Sequence, residues 1–191
     1  MASNSLHNAL TLPPLPDGWT YQELGDLLEP DGLSYGVVQP GSHDPEGVPI
    51  LRVKNLRGGK ISTDDILRVA NDIEQKHHRT RLRGGEVLLS LVGSVGEVAV
   101  VPASLAGWNV ARAIAVIRVS SDVSSSWIKL CLSTDLARRC MGIWQTDTVQ
   151  ATLNLRDVRR LPIVMPPKLE REAIAAVLGA LDDKIAVNER I

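Results

Sequence analysis

Two adjacent prolines, Pro166 and Pro167, divide this chain into parts that must fold by different rules. Neither can sit in a helix interior, where the missing N–H and the ring clash cost about 3 kcal/mol, nor in a central strand. Before them, residues 161–165 form a short apolar run of strand length. After them, Ile174, Leu178, Leu181, Ile185 and Asn188 recur at alternating steps of four and three residues. That spacing predicts one long helix over 168–191, carrying a coiled-coil seam with a single polar residue on it. Such a seam needs a partner helix. The sequence therefore predicts a folded body over 15–167 and a helical arm over 168–191. Residues 1–14, which lack periodicity, are expected to be a flexible tail.

A chain of 191 residues holds one domain with an extension rather than two ordinary domains. No apolar run approaches bilayer-spanning length, and the chain does not open on a basic and then apolar leader, so a soluble cytoplasmic protein is expected. Cys131 and Cys140 fall in one predicted helix without metal-ligand spacing, which predicts two packed, reduced thiols and no metal site. A net charge of −1 excludes a protein that coats nucleic acid through its overall field. A local cationic face stays compatible with it, because a sequence-specific reader needs only enough Lys and Arg to register on phosphates.

Along the chain, Pro16, Asp17 and Gly18 mark a turn that delivers Trp19 onto the core. Residues 21–28 read as a short helix with Leu24, Leu27 and Leu28 on one face, stopped by Pro30 and Gly32. Residues 34–47, rich in Gly, Pro, Ser and Asp, read as an exposed loop. Strands are expected at 48–53, 86–91, 97–101 and 111–119. Residues 124–143 predict a helix capped by Ser124 or Ser125, with Trp127, Leu130, Cys131 and Met141 on one face. The expected fold class is α+β, a β-rich body followed by a long coiled-coil-type helix.

Several groups carry chemistry suited to nucleic acid. Lys76, His77, His78, Arg79 and Arg81 form a basic run that can donate to phosphates, and a solvated face is the plainer alternative. His77 and His78 are adjacent, so their rings diverge, which argues against joint metal ligation. Lys54, Asn55, Arg57 and Lys60 surround the turn Gly58-Gly59. Arg can grip guanine and Asn can grip adenine through paired hydrogen bonds, though a polar hairpin turn fits these residues equally. Trp108, Asn109 and Arg112 add a polar and aromatic group before a strand. Gln145, Thr146, Thr148 and Gln150 lie in a polar loop over 145–152, whose short side chains supply donors and acceptors for base edges. No catalytic set emerges: there is no Asn/Asp-Pro-Pro-Tyr/Phe methyltransferase motif, no cofactor glycine loop and no paired-acid and lysine nuclease cluster.

The run 153–167, LNLRDVRRLPIVMPP, followed by Glu170, Ile174, Leu178 and 181–185, LDDKI, resembles the specificity subunit of type I restriction-modification systems. In that family it marks the exit from a target recognition domain into a spacer helix. One departure is Arg171, where the family usually has Gln. The opening around Trp19, the pair Tyr35-Gly36, the turn Gly93-Ser94-Val95-Gly96 and the polar loop with its glutamines match as well, so the resemblance covers about 15–191. It places Ser94 near DNA.

The resemblance implies a non-catalytic subunit, or half subunit, that binds double-stranded DNA at a target half-site and directs methyltransferase and restriction subunits there. S-adenosylmethionine and ATP would belong to those partner subunits, with no cofactor on this chain. The open seam implies a truncated chain or a half subunit that forms a homodimer through Ile174, Leu178, Leu181, Ile185 and Asn188. The alternatives are a recognition-domain fragment of a fused restriction and methylation enzyme, or a helical scaffold that binds no DNA.

Overall fold

The computed structural model of the chain describes residues 12–145 and 151–188. Its centre is strand β10 (Ile114–Val119), which lies between β2 (Leu28–Tyr35) and β7 (Val87–Ser90) in a four-stranded antiparallel sheet completed by β8 (Val98–Val100). A strand at the middle of a covered sheet must be apolar on both faces, and β10 reads IAVIRV. Its alternation sorts the core into two clusters. Ala115 and Ile117 point with Leu89 and Val98 toward the helices, whereas Ile114 and Val116 point with Leu88 toward Leu51 and Val110. A second sheet of order β6 (Leu67–Val69), β3 (Val48–Leu51), β9 (Asn109–Val110) supplies that other side, with β3 and β9 parallel. β4 (Leu56–Arg57) and β5 (Lys60–Ile61) make a small hairpin.

The strands expected at 48–53, 86–91, 97–101 and 111–119 are present as β3, β7, β8 and β10, each with trimmed ends. The helix expected over 21–28 is absent. Those residues form β1 (Thr20–Glu23), a 3-10 turn (Leu24–Leu27) and the start of β2. The turn does bury Leu24 and Leu27, which is why the spacing looked helical. The strand arises from a distant partner: β1 pairs antiparallel with β11 (Pro162–Met165), Thr20 opposite Met165 and Glu23 opposite Pro162.

Pro30 and Gly32 do not stop β2; they sit in a bulge. Leu28 faces Val119 and Leu33 faces Ile117, so Glu29, Pro30, Asp31 and Gly32 stand opposite Arg118 alone. A bulge tolerates the missing proline N–H. Asp31 has φ 55°, in the left-handed region. Gly32 is required because a Cβ there would lie 2.5 Å from the Arg118 carbonyl oxygen.

Residues 124–143 form two helices rather than one, α2 (Ser125–Leu132) and α3 (Asp135–Trp144), after the short α1 (Asn71–Gln75). The Ser124 hydroxyl caps α2 by accepting from the Trp127 N–H at 3.1 Å, and Thr134 starts a new cap on α3. Cys131 and Cys140 thus lie on separate helices, both buried and free. Burial pushes the Cys131 thiol up to about 12.

After α4 (Leu155–Arg159) and β11, the proline pair gives way at once to α5 (Lys168–Asn188). The root of α5 is fastened to the body. Arg171, only 8% exposed, donates to the Asp122 carbonyl at 2.9 Å, and the indole N–H of half-buried Trp19 donates to Glu170 at 3.2 Å. Ile174 packs against the core, but Leu178, Leu181 and Ile185 are 38%, 50% and 55% exposed. The seam is therefore covered at its first position and open beyond it. Among the described residues no helix is long and apolar enough to cross a membrane.

Candidate nucleic-acid interface

The basic run begins where α1 ends and passes through a 3-10 turn (His78–Thr80). It is held from beneath by three side chains. Glu74, 1% exposed, accepts from Arg81 Nε at 2.9 Å and from Arg81 Nη2, and it also accepts from Asn109 Nδ2 at 3.1 Å. The Arg81 hydrogen bonds hold the Glu74 carboxyl below the usual carboxylate range, against the opposing effect of burial. Asn109, fully buried, also donates to the His77 carbonyl at 3.1 Å and accepts from the Thr80 hydroxyl at 2.7 Å.

The third is Arg118, from the centre of β10. Its Nη1 donates to the Arg79 carbonyl at 2.9 Å and its Nη2 to the Arg81 carbonyl at 3.0 Å. Its Nε lies 3.5 Å from the buried Glu86 carboxylate, which accepts in turn from the N–H groups of Arg83 at 2.7 Å and Gly84 at 2.9 Å. Burial works against the Arg118 charge, yet a guanidinium stays protonated at any ordinary pH. Two partly or fully buried ion pairs thus fix the segment, leaving Lys76, His78, Arg79 and Arg83 exposed along it. His77 is half-buried.

Facing this segment is the β2 bulge. Between them lies a cleft of about 490 Å³, with Arg118 on its lining and Glu29 and Asp31 across from Arg79 and Arg83. Arg83 and Glu29 approach to 3.7 Å.

The remaining predicted residues divide by where they point. Asn55, 2% exposed, is turned inward: its Oδ1 accepts from the Arg52 N–H at 2.9 Å and its Nδ2 donates to the Asp64 carbonyl at 3.0 Å. Asn109 is likewise committed inside. Neither presents a free amide to a base edge, because each is consumed in holding a loop. Lys54 is exposed but paired with Asp65. Arg57 and Lys60 are exposed on the β4–β5 hairpin, whose Gly58 N–H donates to Glu97 at 2.9 Å. That bond joins the hairpin to the turn carrying exposed Ser94, and Gly93 N–H donates to the Ala151 carbonyl at 3.1 Å. Arg57, Lys60, Ser94 and the end of the polar loop are thereby brought together. Gln145 closes α3 and is half-buried, and Arg112 is exposed after β9. Thr146, Thr148 and Gln150 lie outside the described residues. Among the described residues no cluster of three metal-ligating side chains forms.

Sequence reasoning missed Arg118, Glu29 and Asp31. The signal for Arg118 was a lone charge in an otherwise apolar central strand, which must find partners inside.

Residues 16–191 match the family described as Type I restriction modification DNA specificity domain. The chain is 24% identical over 164 residues to the type I restriction enzyme EcoBI specificity subunit of Escherichia coli, covering 84% of this chain and 34% of that one. It is 25% identical over 187 residues to a putative type I restriction enzyme MjaX specificity subunit of Methanocaldococcus jannaschii, covering 93% of this chain and 43% of that one. The chain therefore spans less than half the length of either relative. Among solved structures, the HsdS subunit from Thermoanaerobacter tengcongensis has the same fold, with a TM-score of 0.66 at 19% identity over 92% of this chain and 45% of that one. A chain from a type I R-M system studied for complex assembly and conformational transition gives a TM-score of 0.66 at 21% identity, over 96% of this chain and 42% of that one.

Proposed function

The chain belongs to the type I restriction modification DNA specificity family, and from that premise we propose that it is the sequence-reading, non-catalytic part of a restriction-modification complex. It binds one half-site of double-stranded DNA and carries methyltransferase and restriction subunits there. The body over 15–167 is the target recognition domain, and 168–191 is the start of the spacer. The observation that carries the reading is the ordered basic segment. Arg118 and Asn109 spend buried hydrogen bonds on the carbonyls of His77, Arg79 and Arg81, and Glu74 holds the side chains of Arg81 and Asn109, a costly arrangement unless the exposed cations have to keep a register.

Lys76, His78 and Arg79 contact phosphates, while Arg57, Lys60, Ser94, Gln145 and the loop over 146–150 face base edges. The seam of α5 takes a second helix, from a longer chain, a second copy or a methyltransferase subunit. S-adenosylmethionine and ATP are used by the partner subunits in the cytoplasm. Selection of bound duplexes from a randomised pool by the purified chain, with excess competitor DNA, tests this function. A recovered motif of a few fixed base pairs is expected, and an unenriched pool overturns the reading.

A further inference from the structure

The cleft between the β2 bulge and the basic segment is lined by both signs of charge. Four arginines, Arg79, Arg81, Arg83 and Arg118, line it with two carboxylates, Glu29 and Asp31. Two more carboxylates, Glu74 and Glu86, lie behind and pair with Arg81 and Arg118. Four cations are therefore matched by four anions, and a polyanion approaching the cleft meets little net attraction. The acidic wall is not incidental surface. It exists because four residues of β2 are bulged opposite Arg118, because Asp31 adopts φ 55°, and because Gly32 alone fits against the Arg118 carbonyl. A left-handed non-glycine residue and a bulge that re-aims side chains both cost stability, and such features concentrate at working sites.

We propose that Glu29 and Asp31 are specificity-determining residues that act by repulsion. They oppose Arg79 and Arg83 across the cleft, so that a DNA phosphate enters only when contacts elsewhere on a matching sequence hold the duplex in place. The ligand at the cleft is a phosphodiester of the DNA backbone. The Glu29–Arg83 approach at 3.7 Å, with side chains 44% and 70% exposed, is the contact the phosphate displaces. In a matched complex the entering phosphate displaces Glu29 and gains Arg79 and Arg83, whereas a mismatched duplex leaves its phosphate at the cleft mouth facing both carboxylates; removing their charge therefore strengthens binding to every sequence and most of all to the wrong ones. This inference rests on the reading of the chain as a DNA-binding domain.

The test uses the full chain, fluorescence anisotropy, and two labelled duplexes, one carrying the selected motif and one of scrambled sequence. The double variant Glu29→Gln with Asp31→Asn keeps side-chain shape, and Asn tolerates the left-handed backbone, so the fold is retained and circular dichroism checks it. The variant should bind the scrambled duplex at least about fivefold tighter in 0.15 M salt, with a salt slope steeper by about one, and should lose discrimination. Arg79→Ala with Arg83→Ala should weaken both duplexes. If the unaltered chain binds DNA and the carboxylate variant binds both duplexes with unchanged affinity and slope, the repulsive role is overturned while the DNA-binding reading stands. If the unaltered chain and both variants leave DNA unbound even at low salt, the DNA-binding reading fails and takes this proposal with it.

Discussion

The carboxylate of Glu74 and the guanidinium of Arg81 form a two-point pair whose acidic end is 1% exposed and whose basic end opens onto the cleft at 40%. The pair orients a cation, and the same carboxylate positions the Asn109 amide that holds the His77 carbonyl. Glu74→Gln should lower stability by about 1–3 kcal/mol, the cost of disturbing a buried charged hydrogen bond, measured by urea unfolding. The sign with pH follows from the depressed carboxyl. Its contribution is complete above the unfolded-chain carboxylate value and disappears as pH falls through the lower folded value, so the stability gap between the two proteins should shrink on acidification.

Arg79 and Arg81 should separate by what their loss does to the fold. Arg79→Ala removes an exposed side chain and should weaken all DNA sequences alike, reducing the salt slope by about one, with unchanged thermal stability. Arg81→Ala should weaken DNA binding and also destabilise the chain, because it strands the Glu74 carboxylate. Equal melting temperatures for the two variants would contradict the pairing seen here.

The polar loop and the buried asparagine should behave oppositely. Gln145→Ala or Gln150→Ala should relax preference at one base position, at a cost of about 1–3 kcal/mol in discrimination. Asn55→Ala should lower stability and leave base preference intact, since both ends of its amide are used within its own loop. Binding selections on each variant, read position by position, decide between these outcomes.

The open part of the seam predicts association. Leu178, Leu181 and Ile185 are exposed in the single chain, and we expect light scattering to show a mass that rises with concentration. Leu181→Asp should return the chain to a monomer without changing its circular dichroism. A concentration-independent monomer in the unaltered protein would leave the seam to methyltransferase subunits.

Cys131 should resist alkylation at pH 8, because burial pushes its thiol up to about 12 and little thiolate forms. Denaturant should restore ordinary reactivity. Rapid labelling of the native chain at this residue would contradict the packing of α2 on β11.

Much of the architecture was legible because it rests on local signals. The proline pair, the strand before it and the helix after it fall where the sequence put them, and Ser124 caps its helix. The failures share a cause. Leu24, Leu27 and Leu28 gave a helical spacing, but their neighbours at 20–23 form a strand because β11 lies alongside, and a partner so far along the chain leaves no local trace. Asn55 and Asn109 were assigned chemistry from residue type, which does not say whether a side chain faces in or out. Arg118 reads simply as strand from its apolar neighbours, although with Asn109 it holds the carbonyls of the basic segment.

Arg171 lies in the first turn of α5, and its buried guanidinium is tied to the carbonyl of Asp122. An α-helix turns about 100° and rises about 1.5 Å with each residue. With the first turn of α5 pinned, the compass bearing of Leu178, Leu181 and Ile185 is set relative to the cationic side of the body. One residue inserted between Arg171 and Ile174 would rotate that bearing by more than a quarter turn while barely lengthening the arm. The helix then acts as an angular index. Whatever docks on it is presented to the body at one heading, and the heading is encoded in the few residues that follow the prolines.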